Sequence, residues 1–156
     1  MREQTTEMPV NIHSLPRFAD EESLGGAETI LFVEDEAFVR GVTSEVLRTA
    51  GYEVLTAQNA ADGVRIFEAR HADVQLLLTD VVLPGETGRA MAGRLRRRNP
   101  ELKVLLVTGY GEQMGPREGG REECLAKPFS VEVLLRRVRV MLDGDAAAER
   151  MAADAD

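Results

Sequence analysis

The chain has 156 residues and a formal charge of −8, from 19 basic and 27 acidic side chains. That length suits one domain with tails, and the acidic balance excludes a global basic footprint for nucleic acid. No apolar run reaches the ~18 residues needed to cross a bilayer, and residues 1–20 lack an apolar signal core. A single cysteine, Cys124, excludes a disulfide framework and a cysteine zinc site, while His13 and His71 lack ligand-like spacing. A soluble cytoplasmic protein without a membrane contact is expected.

The excess charge sits at the two ends. Residues 1–27 carry five acids and two bases, residues 143–156 five acids and one base, and residues 28–142 are nearly balanced. The expected organisation is a flexible tail over 1–27, a folded domain over 28–142 and an acidic tail over 143–156, the last able to extend a preceding helix because Ala, Glu, Arg and Met favour one.

Residues 29–33 (TILFV) form a short apolar run that reads as a buried strand. Phe38, Val42 and Val46 then recur every four residues, with Val39 and Leu47 beside them, which predicts a helix face, and Gly51 stands where a helix cap belongs. Residues 52–57 (YEVLTA) predict a second strand, and Asn59 a cap for a helix presenting Val64, Ile66 and Phe67. A third strand is predicted over 74–79 (VQLLLT). It is followed by a loop with Pro84, Gly85 and Gly88, and by a helix through Met91 and Leu95 that ends at Asn99-Pro100. Arg94, Arg96, Arg97 and Arg98 fall at its end, either as a solvated face or as a patch for an acidic partner. Residues 103–107 (KVLLV) predict the fourth strand and 124–126 a short fifth. Ser130 is placed to cap a last helix with Val131, Leu134, Leu135, Val138 and Leu142 on one side. Strand–helix alternation with short links implies an α/β fold: a doubly wound, five-stranded parallel sheet of (βα)5 type in three layers. Its strands are apolar because both faces are covered.

Open sheets of this kind place sites beyond the carboxyl ends of their strands. Glu34, Asp35 and Glu36 follow the first strand, Asp80 the third, Thr108 and Gly109 the fourth, and Lys127 and Pro128 the fifth. Clustered carboxylates repel one another and resist desolvation. A hard divalent cation relieves that, and carboxylate oxygens suit Mg²⁺. A lysine supplies a point charge for a phosphoryl oxygen, and a threonine a hydrogen bond to the same group. Lys127 is one of only two lysines among the 19 basic residues. The set fits phosphoryl chemistry at Asp80, with the acid pair holding the metal.

Four motifs in order carry a resemblance: ILFVEDE at 30–36, LLLTDVVLPGETG at 76–88, VLLVTGY at 104–110 and LAKPF at 125–129. The chain resembles the receiver domain of two-component response regulators, particularly stand-alone receivers and those of hybrid histidine kinases, and the implied fold is flavodoxin-like. The resemblance implies that Asp80 accepts the phosphoryl group. It implies that Asp35 and Glu34, with Asp80 and the main-chain carbonyl of Val82, hold Mg²⁺. It implies that Thr108 bonds a phosphoryl oxygen, that Lys127 pairs with Asp80 or the phosphoryl group, and that Pro128 follows a cis peptide. The implied donor is a sensor histidine kinase, a histidine phosphotransfer protein or a small phosphodonor. The chain is expected to catalyse only its own phosphorylation and dephosphorylation. With no room for a helix-turn-helix domain after residue 142, the expected output is contact with another protein, a homodimer being one option, rather than direct DNA binding.

Three positions depart from or qualify the pattern. The family's usual aromatic three residues before the lysine is replaced by Cys124, and Tyr110 is the candidate substitute. Residues 109–120 hold five glycines and one proline, which predicts a short, frayed or absent fourth helix. Val82 has no group to orient an attacking water, so slow self-dephosphorylation is expected. The competing readings are a degenerate receiver that binds partners without phosphorylation, and an aspartyl-nucleophile phosphatase of dehalogenase type, which needs an acid where Val82 stands.

Overall fold

The computed structural model describes residues 24–109 and 122–155, with residues 145–155 as main chain alone. Five strands and four helices alternate among them: β1 (Thr29–Val33), α1 (Ala37–Thr49), β2 (Glu53–Ala57), α2 (Ala60–Arg70), β3 (Val74–Asp80), α3 (Gly88–Arg98), β4 (Lys103–Thr108), β5 (Glu122–Ala126) and α4 (Val131–Ala155). All neighbouring strands are parallel and the spatial order is β2-β1-β3-β4-β5. The order reverses direction after β1, so the crevice of a doubly wound sheet opens between the carboxyl ends of β1 and β3. The region expected to hold a helix between β4 and β5 lies outside the described residues from 110 to 121, as does Tyr110.

Alternating strand residues feed two cores. Leu31, Val33, Leu77, Val104 and Leu106 pack on one face with Phe67 of α2 and Met91 and Leu95 of α3. Ile30, Phe32, Leu76, Leu78, Leu105 and Val107 pack on the other with Leu47 of α1 and Leu134, Val138 and Met141 of α4. The layers are thus α2/α3, sheet and α1/α4. The expected caps form: Asn59 Oδ1 accepts the Asp62 N–H at 2.7 Å and Ser130 Oγ the Val133 N–H at 3.1 Å. Gly51 takes φ 107° beyond the end of α1, a conformation that favours glycine. The last helix runs on through the acidic segment after a break at Gly144, where Lys103 Nζ donates to the Leu142 carbonyl at 3.2 Å.

Packing sharpens two of the sequence expectations. The stripe Phe38–Val42–Val46 forms a helix face, but not the one that meets the sheet: α1 buries Leu47 and Ser44, and Phe38 is 81 % exposed. The helix carries two apolar stripes, and periodicity alone does not say which one the sheet takes. The arginine run is a solvated face at Arg94, Arg97 and Arg98, which are exposed, and departs from it at Arg96, which turns inward. Arg94 pairs with Glu86, Arg98 with Glu68, and Arg96 reaches Glu122, which is 1 % exposed. Truncation separates the buried from the exposed ring. Phe67→Ala should cost about 3–5 kcal/mol in urea unfolding, and Phe38→Ala should stay within about 0.5 kcal/mol. Equal losses would contradict this packing.

Candidate functional site

Sheet register assembles the site. Val33 at the end of β1 pairs with Thr79, and Asp80 at the end of β3 pairs with Val107. Glu34, one residue beyond β1, therefore lies beside Asp80. Thr108 pairs with Ala126, so Lys127 leaves β5 at the same edge, and its N–H donates to the Thr108 carbonyl at 2.8 Å. The Lys127–Pro128 peptide is cis, as expected from the resemblance. Glu34, Asp35, Glu36, Asp80, Val82, Val107, Gly109 and Lys127 line a cavity of about 160 Å³.

One carboxylate oxygen from each of Glu34, Asp35 and Asp80 lies within 4.8 Å of the others. Lys127 Nζ stands 3.3 Å from Asp80 Oδ1. Glu34 is buried and Asp80 nearly so, whereas Asp35 is exposed. Main-chain bonds hold this arrangement. The Glu34 N–H donates to the Ala57 carbonyl at 3.0 Å, and Arg40 donates to the Glu34 carbonyl at 2.7 Å. The Glu36 N–H donates to Glu34 Oε2 at 3.1 Å. Behind Asp80, the Val81 N–H donates to the Val107 carbonyl and the Gly88 N–H to the Val81 carbonyl. Gly88 is required there: a Cβ would fall 1.9 Å from the Asp80 carbonyl oxygen. The first turn of α3 thus rests directly on the main chain of Asp80.

Of the residues expected to act together, Glu34, Asp35, Asp80, Val82 and Lys127 share one cavity. Thr108 sits at the same sheet edge with its side chain buried, and it is its neighbours Val107 and Gly109 that line the cavity. Glu36 belongs to the lining too, although strand-end reasoning gave it no role. Its position three residues past β1, at the start of α1, was the available signal.

Burial is the main electrostatic fact. It pushes the Glu34 carboxyl up to about 7, helped by the charge of Asp80 and opposed by the Glu36 N–H and Lys127. Burial also raises the Asp80 carboxyl, with Glu34 and Lys127 opposing and Asp35 adding to the rise. Desolvation lowers Lys127, but the carboxylates of Asp80 and Glu34 outweigh it and the ammonium ends above its usual value. Three crowded carboxyl oxygens, two of them desolvated, form a donor set that a hard divalent cation would satisfy. Glu34, Asp35 and Asp80 would hold it, and its charge would make the fully ionised cluster affordable.

A doubly wound parallel α/β sheet thus carries an acidic crevice and a facing lysine at its switch point. Residues 30–139 match the family model of the response regulator receiver domain, and the chain belongs to that family. It is 33% identical over 123 residues to the sensor kinase CckA of Brucella abortus, covering 77% of this chain and 13% of that protein. It is 34% identical over 120 residues to the phosphate regulon transcriptional regulatory protein PhoB of Pseudomonas aeruginosa, covering 74% and 52%. The chain therefore spans at most about half the length of these curated relatives. Among solved structures it resembles the response regulator protein TrrA of Thermotoga maritima in complex with Mg²⁺–BeF, at 28% identity and TM-score 0.65, covering 73% of this chain and 98% of that one.

The raised Glu34 carboxyl sets a pH dependence. Between pH 4.5 and about 7 the folded state keeps a proton that the unfolded chain has lost. Stability from this group is therefore full at low pH and is lost as pH rises through 7. Divalent-ion binding must displace the same proton. Mg²⁺ affinity should fall as pH drops below 7, with about one proton released per ion near pH 6. Calorimetry in buffers of different ionisation enthalpy measures this. Glu34→Gln should abolish the proton release, and release persisting in that variant would assign the proton elsewhere.

Proposed function

We propose that this chain is a phospho-accepting receiver in which Asp80 takes a phosphoryl group in a Mg²⁺-dependent step. The observation that carries the reading is the 3.3 Å contact between Lys127 Nζ and Asp80 Oδ1, on a carboxylate that Glu34 and Asp35 flank. The lysine fixes one oxygen of Asp80 and leaves the other to attack. The bond from the donor nitrogen to phosphorus breaks as the bond from the Asp80 oxygen to phosphorus forms, and the donor histidine leaves with the electron pair. The group then lies where Lys127 can pair with a phosphoryl oxygen. Thr108, at the edge of the same sheet, is the hydroxyl assigned to a second phosphoryl oxygen. Bound at Glu34, Asp35, Asp80 and the Val82 carbonyl, Mg²⁺ would supply charge neutralisation for the incoming phosphoryl oxygens.

The donor is assigned to a sensor histidine kinase or a histidine phosphotransfer protein, and a small phosphodonor can replace it. The likeness to the sensor kinase CckA supports a phosphorelay setting. No described helix is long and apolar enough to cross a membrane, and we place the chain in the cytoplasm, where kinases supply the donor. Turnover of external phosphate esters is not assigned, because position 82 is an exposed valine where a second acid would be needed. The same valine leaves an attacking water without a side-chain partner, so the acyl phosphate is long-lived.

Incubation with Mg²⁺ and acetyl phosphate, followed by intact-mass measurement, tests the reading. The wild-type chain should gain one phosphoryl group, lost over many minutes once the donor is removed, and Asp80→Asn should gain none. Decay within seconds would reject the role given to Val82. No gain in the wild type would leave a phosphorylation-independent binding module, and steady release of phosphate from small esters would indicate a phosphatase.

A further inference from the structure

An apolar groove runs between α1 and α4, away from the carboxylate cavity. Val46, Thr49, Ala50, Val131 and Leu135 line it, with Glu45 the one charged side chain, and its volume is about 300 Å³. Phe38 and Val42 continue the apolar surface along α1, and they are 81% and 49% exposed. An exposed apolar strip of this kind marks a contact surface.

The described chain begins at one end of this groove. The Gly26 N–H donates to the carbonyl of Ala50, a lining residue, at 3.2 Å. Arg139, one turn past Leu135 on α4, donates to the Gly25 carbonyl at 2.9 Å. Residues 25 and 26 are thus pinned between the two helices that form the groove walls. The preceding residues 8–19 read MPVNIHSLPRFA: apolar side chains at Met8, Val10, Ile12, Leu15 and Phe18, one base at Arg17 and no acid. Pro9 and Pro16 disfavour a continuous helix over this stretch. Glu45 has no ion-pair partner among the described residues, so the one base of the segment matches the one charge of the groove. Length is sufficient: α1 extends over ~20 Å, and extended chain covers ~3.3 Å per residue, so six residues separate Phe18 from the anchor with reach to spare. Tethering also raises the effective concentration of this segment to about the millimolar range, which a free competitor would have to exceed.

We propose that residues 8–19 of this chain lie in the α1–α4 groove, with Ile12, Leu15 and Phe18 as apolar anchors and Arg17 beside Glu45. The tether makes the segment the first occupant of this surface, and any partner that uses the same strip must displace it. The proposal does not depend on phosphoryl transfer, so its test stands apart from that of the functional reading.

A nitroxide on α1 tests it in the full chain. Gly41→Cys is suitable, because a Cβ there meets nothing within 4 Å, and Cys124→Ser removes the native thiol. With the labelled, isotope-enriched protein diluted in unlabelled protein, the amide signals of residues 12–18 should lose most of their intensity. Val131→Asp, at a half-exposed groove residue, should restore them. Val42→Asp provides the same test if Val131→Asp fails to fold. Intact signals over 12–18, or bleaching that both groove variants leave unchanged, would overturn the proposal, since the second result is what a bare tether gives. Bleaching seen only between labelled and unlabelled molecules would also overturn it and assign the groove to a second copy.

Discussion

Two carboxyl groups buried side by side are the constraint around which this molecule is organised. Unit charges no more than 4.8 Å apart repel by at least about 3 kcal/mol at an effective dielectric of 20, and desolvation adds to that cost. Glu34 and Asp80 cannot drift apart to relieve it, because Glu34 directly follows β1 and Asp80 ends β3, two buried strands whose register is fixed on both sides. Relief comes instead from a retained proton on Glu34, the ammonium of Lys127 and the Glu36 N–H. A site held in this way is poised for positive charge and for the anion that such charge attracts. The chemistry follows from a repulsion that the scaffold refuses to release.

The scaffold can refuse because both ends of the sheet are tied. At the carboxyl edge, the Val81–Val107 hydrogen bond and the contact of Gly88 with Asp80 leave the Asp80 main chain no room to move. At the opposite end, Arg139 gathers Glu28, Asp143 and the Tyr52 hydroxyl, joining α4 to the segment before β1. Beneath β5, Arg89 and Arg96 converge on the buried Glu122. Such buried pairs contribute little net stability, but removing one partner strands a charge and is costly. Their effect is to hold an edge strand in register, and that strand delivers Lys127.

The strands were legible because both faces of the sheet are covered: TILFV and KVLLV have no polar residue inside the run, and VQLLLT has only Gln75. Their carboxyl ends were legible for the same reason, since the first polar residue after each run marks the sheet edge. That logic found Glu34, Asp35, Asp80 and Lys127. It could not separate Thr108, whose side chain is buried, from its neighbours Val107 and Gly109, which line the cavity, because neighbouring residues at a strand end differ in direction and not in pattern. It named Glu36 but gave it no role, and Glu36 enters the lining from the N-cap of α1. Which face of α1 meets the sheet was left open, because Phe38–Val42–Val46 and Leu47 are both apolar at helical spacing. A small buried polar residue, Ser44, marks the true contact face, and hydrophobicity gives it no weight.

The distribution of exposed apolar surface then separates the two sides of the molecule. Every large exposed hydrophobic side chain among the described residues lies on α1, on α4 or at Val82 in the cavity loop, and none lies on α2 or α3. The outer surfaces of α2 and α3 carry ion pairs instead: Arg65 with Asp62, Arg98 with Glu68, Arg94 with Glu86. Exposed pairs of this kind add little stability, but they keep that side wetted and closed to apolar contact. On the α1/α4 side α4 carries an exposed pair of its own, Arg136 with Glu132, whereas the apolar strip of α1 starts at Phe38, in the first turn after the acids Glu34, Asp35 and Glu36. Among the described residues, the strip on α1 and Val82 are the exposed apolar surfaces next to the Asp80 cavity that a macromolecule reaching it could bury. The polarity of the two helical layers therefore gives the site a direction of approach, which the sheet alone does not supply.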